Sequence, residues 1–301
     1  SSMTALTVVR PVAFSDALLQ SCTVPEDPNP AWSPAVAYGA GARVHSTVTH
    51  KVYQSLQAGN LLHPLHDTAW WIEVSATNRW KMFDTSNSTA TTATGSMTYV
   101  FRPRQVVNCV ALLGVVANSV RIRMTDPAEG LVYDRTFVLA GAIPGSSWYD
   151  YFFAQVTIKD QVLALDLPPY SGADIQVDII GVSVVSCATL VFGYQRLIGK
   201  GVHYGARISI QDYSRVETND FGDTSFVPRS YAKRADITTT IDNGLVTATQ
   251  SFLASIRAVP CLWIGYEEIG ALTLFGFYKE FNIVISYFSE SDCEISLQGL
   301  T

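Results

Sequence analysis

The sequence is poor in charge: only 15% of its 301 residues are Asp, Glu, Lys or Arg, whereas 48% are hydrophobic. Soluble domains usually carry about 25% charged residues. A chain with so few charges is expected to cover part of its surface with other subunits. The net charge of -6 and the lack of any Lys/Arg cluster argue against the basic face that nucleic-acid binding needs. Nucleic acid is therefore not predicted as a partner.

Cysteine is scarce, and long hydrophobic runs are missing. The odd number and wide spacing of the cysteines, which mostly lie in apolar strand-like runs, predict reduced core residues and no disulfide framework or zinc site. These cysteines are Cys22, Cys109, Cys187, Cys261 and Cys293. The longest uncharged run, 179–195, is too short and too interrupted by Gly and Ser to span a membrane. The start of the sequence lacks the pattern of a secretory signal, and the two serines before Met3 are typical of a tag remnant.

Catalytic motifs are also lacking, including Gly-x-Ser-x-Gly, His-Glu-x-x-His and a phosphate-binding glycine loop. His63, His66 and Asp67 could ligate a metal, but Pro64 disfavours the helix that would align them, so a polar loop is the preferred interpretation. Six carboxylates could meet in space in a glycosidase, although solvated loop charges are the preferred interpretation. They are Asp212, Glu217, Asp220, Asp223, Glu267 and Glu268. We predict no enzyme, no metal and no cofactor.

The most distinctive segment that is present is an aromatic-rich stretch at residues 31–76. Its landmarks are Trp32, Tyr38, Gly41, Val44, Tyr53, Pro64 and the Trp70-Trp71 pair. This pattern resembles the small chitin-binding-type carbohydrate-binding modules of families 5 and 12. The resemblance implies a small β module that attaches to a surface glycan or to a protein neighbour.

Five aromatic residues are candidates for that contact, because sugar rings lay their apolar faces on Trp or Tyr. They are Trp32, Tyr38, Tyr53, Trp70 and Trp71. A module of about 45 residues has so little volume that the same side chains must also supply its core. Adjacent strand residues point to opposite faces, so Trp70 and Trp71 cannot both enter one core. Sugar contact and subunit contact both stay open, and subunit packing is preferred.

The flanking regions predict β-structure. Residues 1–30 contain an N-terminal strand and a proline-rich connector, which favours extended backbone. Residues 77–198 contain a series of alternating segments that starts at 78–84. In one of them Val120, Ile122 and Met124 alternate with arginines, which is typical of a half-buried strand. The order of these segments resembles the galactose-binding-like jelly-roll sandwiches.

Residues 199–301 predict a C-terminal β-rich domain with one helix near 244–257. Its apolar positions recur at helical spacing, and they are Leu245, Val246, Phe252, Leu253 and Ile256. Asp242 or Asn243 is the predicted cap, and Pro260 marks the end. The predicted fold class is therefore mainly β and multi-domain: a small aromatic module, a jelly-roll-like β-sandwich, and a C-terminal β-rich α+β domain.

Several segments carry a second resemblance, which spans essentially the whole chain. They include RSYAKR before the helix, VPCLWIG after it, GFYKEFNIVISY and the terminal SLQGLT. They resemble proteins encoded in bacteriophage tail and prophage gene clusters. The resemblance implies a structural tail or baseplate protein in the virion, assembled in the host cytoplasm with copies of itself and other tail proteins. One alternative is a receptor-recognition protein that binds a bacterial surface glycan; a less favoured one is a tail-associated glycan hydrolase.

Overall fold

The computed structural model describes residues 5–86, 88–139, 159–203, 205–218, 224–227 and 231–300, with the side chains of 215–218, 224–227 and 231 left aside. Over these ranges the fold is mainly β with a single α-helix, which confirms the predicted fold class. Within the same ranges, no helix is both long enough and apolar enough to cross a membrane.

The described strands are numbered β1 to β18. In chain order they are β1 (Leu6–Pro11), β2 (Leu19–Cys22), β3 (Arg43–Ser46), β4 (Lys51–Ser55), β5 (Trp71–Ala76), β6 (Thr91–Phe101), β7 (Cys109–Val116), β8 (Ser119–Asp126), β9 (Gly130–Val138), β10 (Gln161–Ala164), β11 (Asp174–Ile198), β12 (Arg207–Asp212), β13 (Arg215–Thr218), β14 (Thr224–Val227), β15 (Tyr231–Asp242), β16 (Cys261–Ile264), β17 (Thr273–Val284) and β18 (Glu290–Gly299). Helix α1 is Val246–Ser255, and single 3-10 turns lie at Lys81–Phe83, Asn243–Leu245 and Gly270–Leu272. Thirteen strands form one sheet, β3–β4–β5 form a second, and β13–β14 form a hairpin.

Strand β11, with 25 residues, is the axis of the main sheet. It pairs with β6 and then β1 along one edge, and with β8 and then β7 along the other. The pairing register shifts between Ile180 and Val184. The first half of β11 builds the sandwich-like region, and its end at Ile198 pairs with Leu6 of β1. From β1 the sheet continues through β16, β17, β18 and β15 to β12, so the sandwich-like region and the C-terminal region share one sheet.

The alternation predicted in β8 is confirmed. Val120, Ile122 and Met124 are buried in the core of the sandwich-like region. Arg121 and Arg123 lie on the opposite face, where their guanidinium groups form ion pairs with acidic residues of neighbouring strands at 2.6 and 2.9 Å. The period-2 pattern therefore separated the core from the charged face, as expected for a half-buried strand.

The strand predicted at 78–84 is wrong, because these residues form turns and the 3-10 turn Lys81–Phe83. The backbone N–H of Trp80 donates to the Thr77 carbonyl at 2.9 Å, and that of Phe83 donates to the Trp80 carbonyl at 3.0 Å. Both bonds span three residues, as in a 3-10 helix. Trp80 and Met82 are nevertheless both buried, so the burial alternates as in a strand although the backbone does not.

The predicted helix is confirmed, with bounds two residues inside the predicted ones at each end. Leu253 and Ile256 are buried in the C-terminal core, whereas Leu245 lies outside the helix and is exposed. Asn243 makes no capping bond to the turn that it begins or to α1. Its side chain instead binds the loop between β17 and β18.

The five cysteines are free thiols, four of them buried. Burial raises the pKa of Cys109 and Cys187 to about 12, and that of Cys261 and Cys293 to about 11. Because the thiolate is the reactive form, these side chains are inert core residues near neutral pH.

Asp178 on β11 predicts a pH dependence of stability. Its carboxylate accepts hydrogen bonds from Thr98, Arg123 and Gln176 at 2.7, 2.9 and 3.0 Å. Burial alone would raise the pKa of Asp178, but these hydrogen bonds outweigh it and hold the pKa below its usual range. The stability that Asp178 contributes is therefore fully present above its unfolded pKa of about 3.9 and is lost as the pH falls through the folded value.

We expect Asp178→Asn to lower the free energy of unfolding by about 1.5 kcal/mol at neutral pH, since hydrogen bonds to a charged group are lost. The difference from wild type should shrink toward zero as Asp178 itself becomes protonated in acid. Urea unfolding at a series of pH values measures both quantities. A difference that stays constant from neutral pH into acid would contradict this role of the carboxylate.

Candidate functional site

The aromatic module is a three-stranded sheet, β3–β4–β5, folded over a very small core. The buried members of its hydrophobic cluster are Tyr38, Val44 and Trp71. The Trp71 side chain is 2% exposed. Its ring meets the Tyr38 ring in a T-shaped contact at 5.3 Å, and its Nε1 donates to the His63 carbonyl at 3.0 Å. Trp71 is thus fixed on its apolar faces and at its polar atom.

The turn before β3 fixes Tyr38 in this core. The backbones of Tyr38 and Asn60 exchange two hydrogen bonds, at 2.9 and 3.1 Å. The Tyr38 hydroxyl accepts a bond from the Ser33 N–H at 2.9 Å. Gly41 has a φ of +83°, which strongly favours glycine, and its N–H donates to the Ser55 carbonyl at 2.8 Å. Tyr38 and Gly41 of the Tyr-x-x-Gly pattern therefore stabilise the fold of the module.

Trp70 differs from Trp71 because it lies in the turn before β5 and is only half-buried. Its ring stacks on the His63 ring, with centroids 3.8 Å apart and planes at 12°. His63 Nδ1 lies 3.6 Å from an Asp67 carboxylate oxygen. His63, considered in the sequence as a metal ligand, is thus the partner of an aromatic ring.

The structure places the five candidate aromatics in two groups. Tyr38 and Trp71 are core residues whose side chains have no surface for a ligand. Trp32, Tyr53 and Trp70 are half-buried at the edge of that core. The Tyr53 hydroxyl is 3.0 Å from the Thr49 hydroxyl. Only the second group can contact a sugar or a subunit without unfolding the module.

The acidic residues weighed in the sequence do not form a described catalytic group. Hydrogen bonds from the side chain of Ser214 and from its backbone N–H, the latter at 2.8 Å, lower the pKa of Asp212. Glu268 accepts a hydrogen bond from the Tyr266 hydroxyl at 3.1 Å. Asp220, Asp223 and the Glu217 side chain lie outside the described residues. In the part of the chain that is described, no three His, Cys, Asp or Glu side chains converge in a way that could hold a metal ion.

A polar cluster joins the module to the rest of the chain, and we call it the His50 clamp. It consists of Asp16, Glu26, His50, Thr77 and Arg79. His50 Nδ1 lies 2.6 Å from a Glu26 oxygen and Nε2 lies 2.8 Å from an Asp16 oxygen. Each ring nitrogen of His50 thus has its own carboxyl partner. Glu26 also accepts from the Thr77 hydroxyl at 2.9 Å and lies 3.3 Å from Arg79 Nη1.

The central residue of the clamp, His50, also makes an aromatic contact. The His50 ring stacks on the Trp80 ring, with centroids 3.9 Å apart. His50 belongs to the turn between β3 and β4 and has a φ of +55°, a conformation that non-glycine residues rarely adopt. The turn between β3 and β4 is thus held against Trp80, in the segment that leads from β5 to the sandwich-like region. Sequence spacing did not reveal this cluster, because its members lie at separate places along the chain.

We expect Glu26→Ala to release the module, because it leaves His50 and Arg79 without their shared, largely buried carboxylate. Breaking such a buried pair costs about 3 kcal/mol or more. Limited proteolysis in the connector near residues 24–31, together with thermal unfolding, measures the effect. Asp16→Ala is the matched control: its side chain is 68% exposed, and an exposed pair contributes about 0 to 1 kcal/mol. Equal effects of the two variants would contradict the clamp.

No protein-family model matches this chain, and no curated protein matches it.

A cleft of about 480 Å³ lies between the module and the sandwich-like region. Arg43 and Ser75 line one side of it, and Thr92 and Val184 line the other. Asn78 spans the cleft by two hydrogen bonds to Thr92. Its Nδ2 donates to the Thr92 carbonyl at 2.9 Å, and its Oδ1 accepts from the Thr92 N–H at 3.0 Å. Its described lining includes no aromatic side chain. The cleft lacks the stacking platform that a sugar needs.

Proposed function

We propose that this chain is a non-enzymatic structural subunit of a bacteriophage tail or baseplate. It assembles in the host cytoplasm with copies of itself and with other tail proteins, and it resides in the virion. The phage setting comes from the resemblance of the sequence segments around the helix and the last strands. The assembly role is supported by the apolar surface of the main sheet.

Five apolar side chains are exposed where β11 changes partners, and this surface carries the proposal. They are Val116, Val138, Ile180, Val182 and Val184. Val182 is 90% exposed. Ser119 of β8 pairs with Ile180 of β11 on one side and with Val138 of β9 on the other. Val116 of β7 pairs with Ser186 of β11, which lies two residues beyond Val184. Contiguous apolar surface on regular strands is typical of an interaction site, and a subunit of a larger assembly has such surface to bury.

Purified virions test the assembly role. Electron microscopy and quantitative mass spectrometry should find the chain at a fixed copy number in a ring or internal position of the tail. The double variant Val182→Ser/Val184→Ser should fold normally and be depleted from virions, whereas Val48→Ser, an exposed valine of the module, should be incorporated normally. A chain that is absent from virions would refute the tail role.

Receptor recognition is the second candidate, and the half-buried aromatic group favours it. Trp32, Tyr53 and Trp70 present partial ring surfaces at the edge of the module core. In this function the rings stack on a sugar of the bacterial surface, and the His50 clamp fixes the orientation of the module on the particle.

Glycan-array and host-cell binding test this second function. Trp70→Ala and Trp32→Ala should each reduce binding at least about fivefold, if stacking on a sugar ring is worth about 1 to 3 kcal/mol, as it is for a nucleic-acid base on an aromatic side chain. Ile72→Ala, an exposed residue of β5 next to the pair, is the matched control. Binding that both tryptophan variants retain in full would exclude the module as the sugar site.

A further inference from the structure

The loop between β17 and β18 is the most exposed apolar feature of the C-terminal region. Ile285, Tyr287 and Phe288, which we call the hairpin tip, are 74%, 70% and 103% exposed. Two aromatics and an isoleucine displayed together at the end of a hairpin are unusual for a surface that stays in water. Aromatic anchors of this kind dominate the energy of protein interfaces.

The hairpin tip is held rigidly. Asn243 Nδ2 donates to the carbonyls of Tyr287 and Phe288 at 3.1 and 2.9 Å, and the Asn243 N–H donates to the Ser289 carbonyl at 3.0 Å. The Ser291 hydroxyl donates to Asn243 Oδ1. One side chain thus fixes the backbone of the loop and its flank. A loop already fixed in one conformation loses less entropy when it binds.

The base of the hairpin tip is acidic. Lys200 Nζ lies 2.6 Å from Asp242 and 2.8 Å from Glu290, and Asp292 accepts from the Ser286 hydroxyl at 3.1 Å. Three carboxylates against one ammonium leave a net charge of -2. Segments that bind anionic membranes place Lys or Arg beside their apolar residues. The charge therefore favours a protein partner with an apolar pocket and a basic rim.

The same chain carries such a pocket, which we call the proline groove. It has a volume of about 620 Å³, and its lining includes Pro11, Val12, Ala13, Pro103, Val106 and Tyr194. Arg10 and Gln105 also line it, and Arg104 lies next to Gln105 and is exposed. Asp16 lies nearby in sequence, but its carboxylate is bound to His50. The groove thus pairs apolar walls with a basic rim.

The hairpin tip and the proline groove lie apart on one chain. The base of the tip lies near the start of β1. Glu290 binds Lys200, and Lys200 follows Ile198, the last residue of β11, which pairs with Leu6. The groove begins at Pro11, the other end of β1, roughly 17 Å farther along the strand at about 3.3 Å per residue. A contact between the two surfaces therefore joins different copies.

We propose that the hairpin tip of one copy inserts into the proline groove of the next copy. This contact deepens the assembly role proposed above and rests on it. Because the two surfaces differ, the contact is head-to-tail, and repetition closes a ring or extends a filament. Two aromatic residues bury about 150 to 250 Å² each, which is less than the roughly 800 Å² per partner of a stable interface. The tip is thus the anchor of a larger contact.

Cysteine cross-linking tests the pairing directly. Ile285→Cys mixed with Gln105→Cys should form a disulfide-linked dimer under oxidation, while Ile285→Cys alone should not. These substitutions keep both aromatic residues of the tip and the apolar side chains of the groove. Phe288→Ser and Arg104→Glu should each weaken self-association at least tenfold in light scattering coupled to chromatography, and Val48→Ser should not.

Three outcomes would overturn the contact: a monomer at every concentration, unchanged self-association in both interface variants, or Phe288-dependent flotation with phosphatidylcholine vesicles, which would assign the tip to a lipid surface. The tail role is tested separately in virions. If Phe288→Ser enters virions normally and forms the same oligomers as wild type, only the tip contact is refuted. If the oligomers depend on Phe288 but the protein is absent from virions, only the tail role is refuted.

Discussion

Trp71→Ala is expected to unfold the aromatic module while the main sheet stays folded. The hydrophobic cluster of the module has three buried members, Tyr38, Val44 and Trp71, and Trp71 is the largest of them. Truncation of a buried Trp costs about 3 to 5 kcal/mol. It also removes the T-shaped contact with Tyr38 and the bond to the His63 carbonyl. The other aromatic side chains of the cluster already make contacts of their own, so filling the cavity would require the whole small core to repack.

Hydrogen exchange measures this effect by region. Amides of β3, β4 and β5 should lose at least a hundredfold of their protection, because every 1.4 kcal/mol is a factor of ten. Amides of β7 and β11, which lie in a separate core, should keep theirs. Ile72→Ala, at the exposed neighbour of Trp71 on β5, is the control. A module that stays protected in Trp71→Ala would show that the clamp and the backbone bonds suffice to hold it.

This result also decides how sugar binding can be tested. Loss of binding in Trp71→Ala follows from unfolding and says nothing about contact. Trp70 is half-buried against His63, so its removal leaves the buried core of Tyr38, Val44 and Trp71 intact. The pair that looked equivalent in the sequence therefore divides into a folding residue and a contact candidate.

Patterns local in sequence predicted most of the elements. Alternation located β8 because burial of Val120, Ile122 and Met124 is a property of one strand. Helical spacing located α1 for the same reason. The pattern misled at Trp80 and Met82, because alternate burial arises in a 3-10 turn as well as in a strand. Periodicity reports which side chains are buried, and the backbone that buries them needs further information.

Contacts between distant residues could not be predicted in this way. The sequence shows β11 as a long apolar run, but its passage from β6 to β1 depends on the strands that reach its two halves. Asp242 or Asn243 was expected to cap the helix. The Asn243 side chain instead binds the hairpin tip, because the tip approaches it in three dimensions. Likewise, Glu26 and His50 become partners only after the connector folds back on the module.

Gly276→Ala is expected to separate β17 from β18. A Cβ at Gly276 would lie 2.0 Å from the Gln298 carbonyl oxygen and 2.7 Å from Gly299 Cα. Both are backbone atoms of the neighbouring strand, so no side-chain rotation can relieve the clash. The Gly276 carbonyl also accepts the Trp263 Nε1 bond at 3.1 Å. A forced backbone shift of this kind is expected to cost about 3 kcal/mol, the upper end of the usual range for overpacking.

The position of Gly276 explains why the effect should spread. It pairs with Cys261 of β16 on one side and with Gly299 of β18 on the other, so a shift there disturbs the only described path from β1 to β15. We expect the melting temperature to fall by about 6 to 12 °C, at about 2 to 4 °C per kcal/mol, with a changed near-ultraviolet signal from Trp263. Gly244→Ala, whose Cβ would meet no atom within 4 Å, is the control. If Gly276→Ala melts like that control, the two strands can separate locally without cost, and the C-terminal sheet does not depend on their close approach.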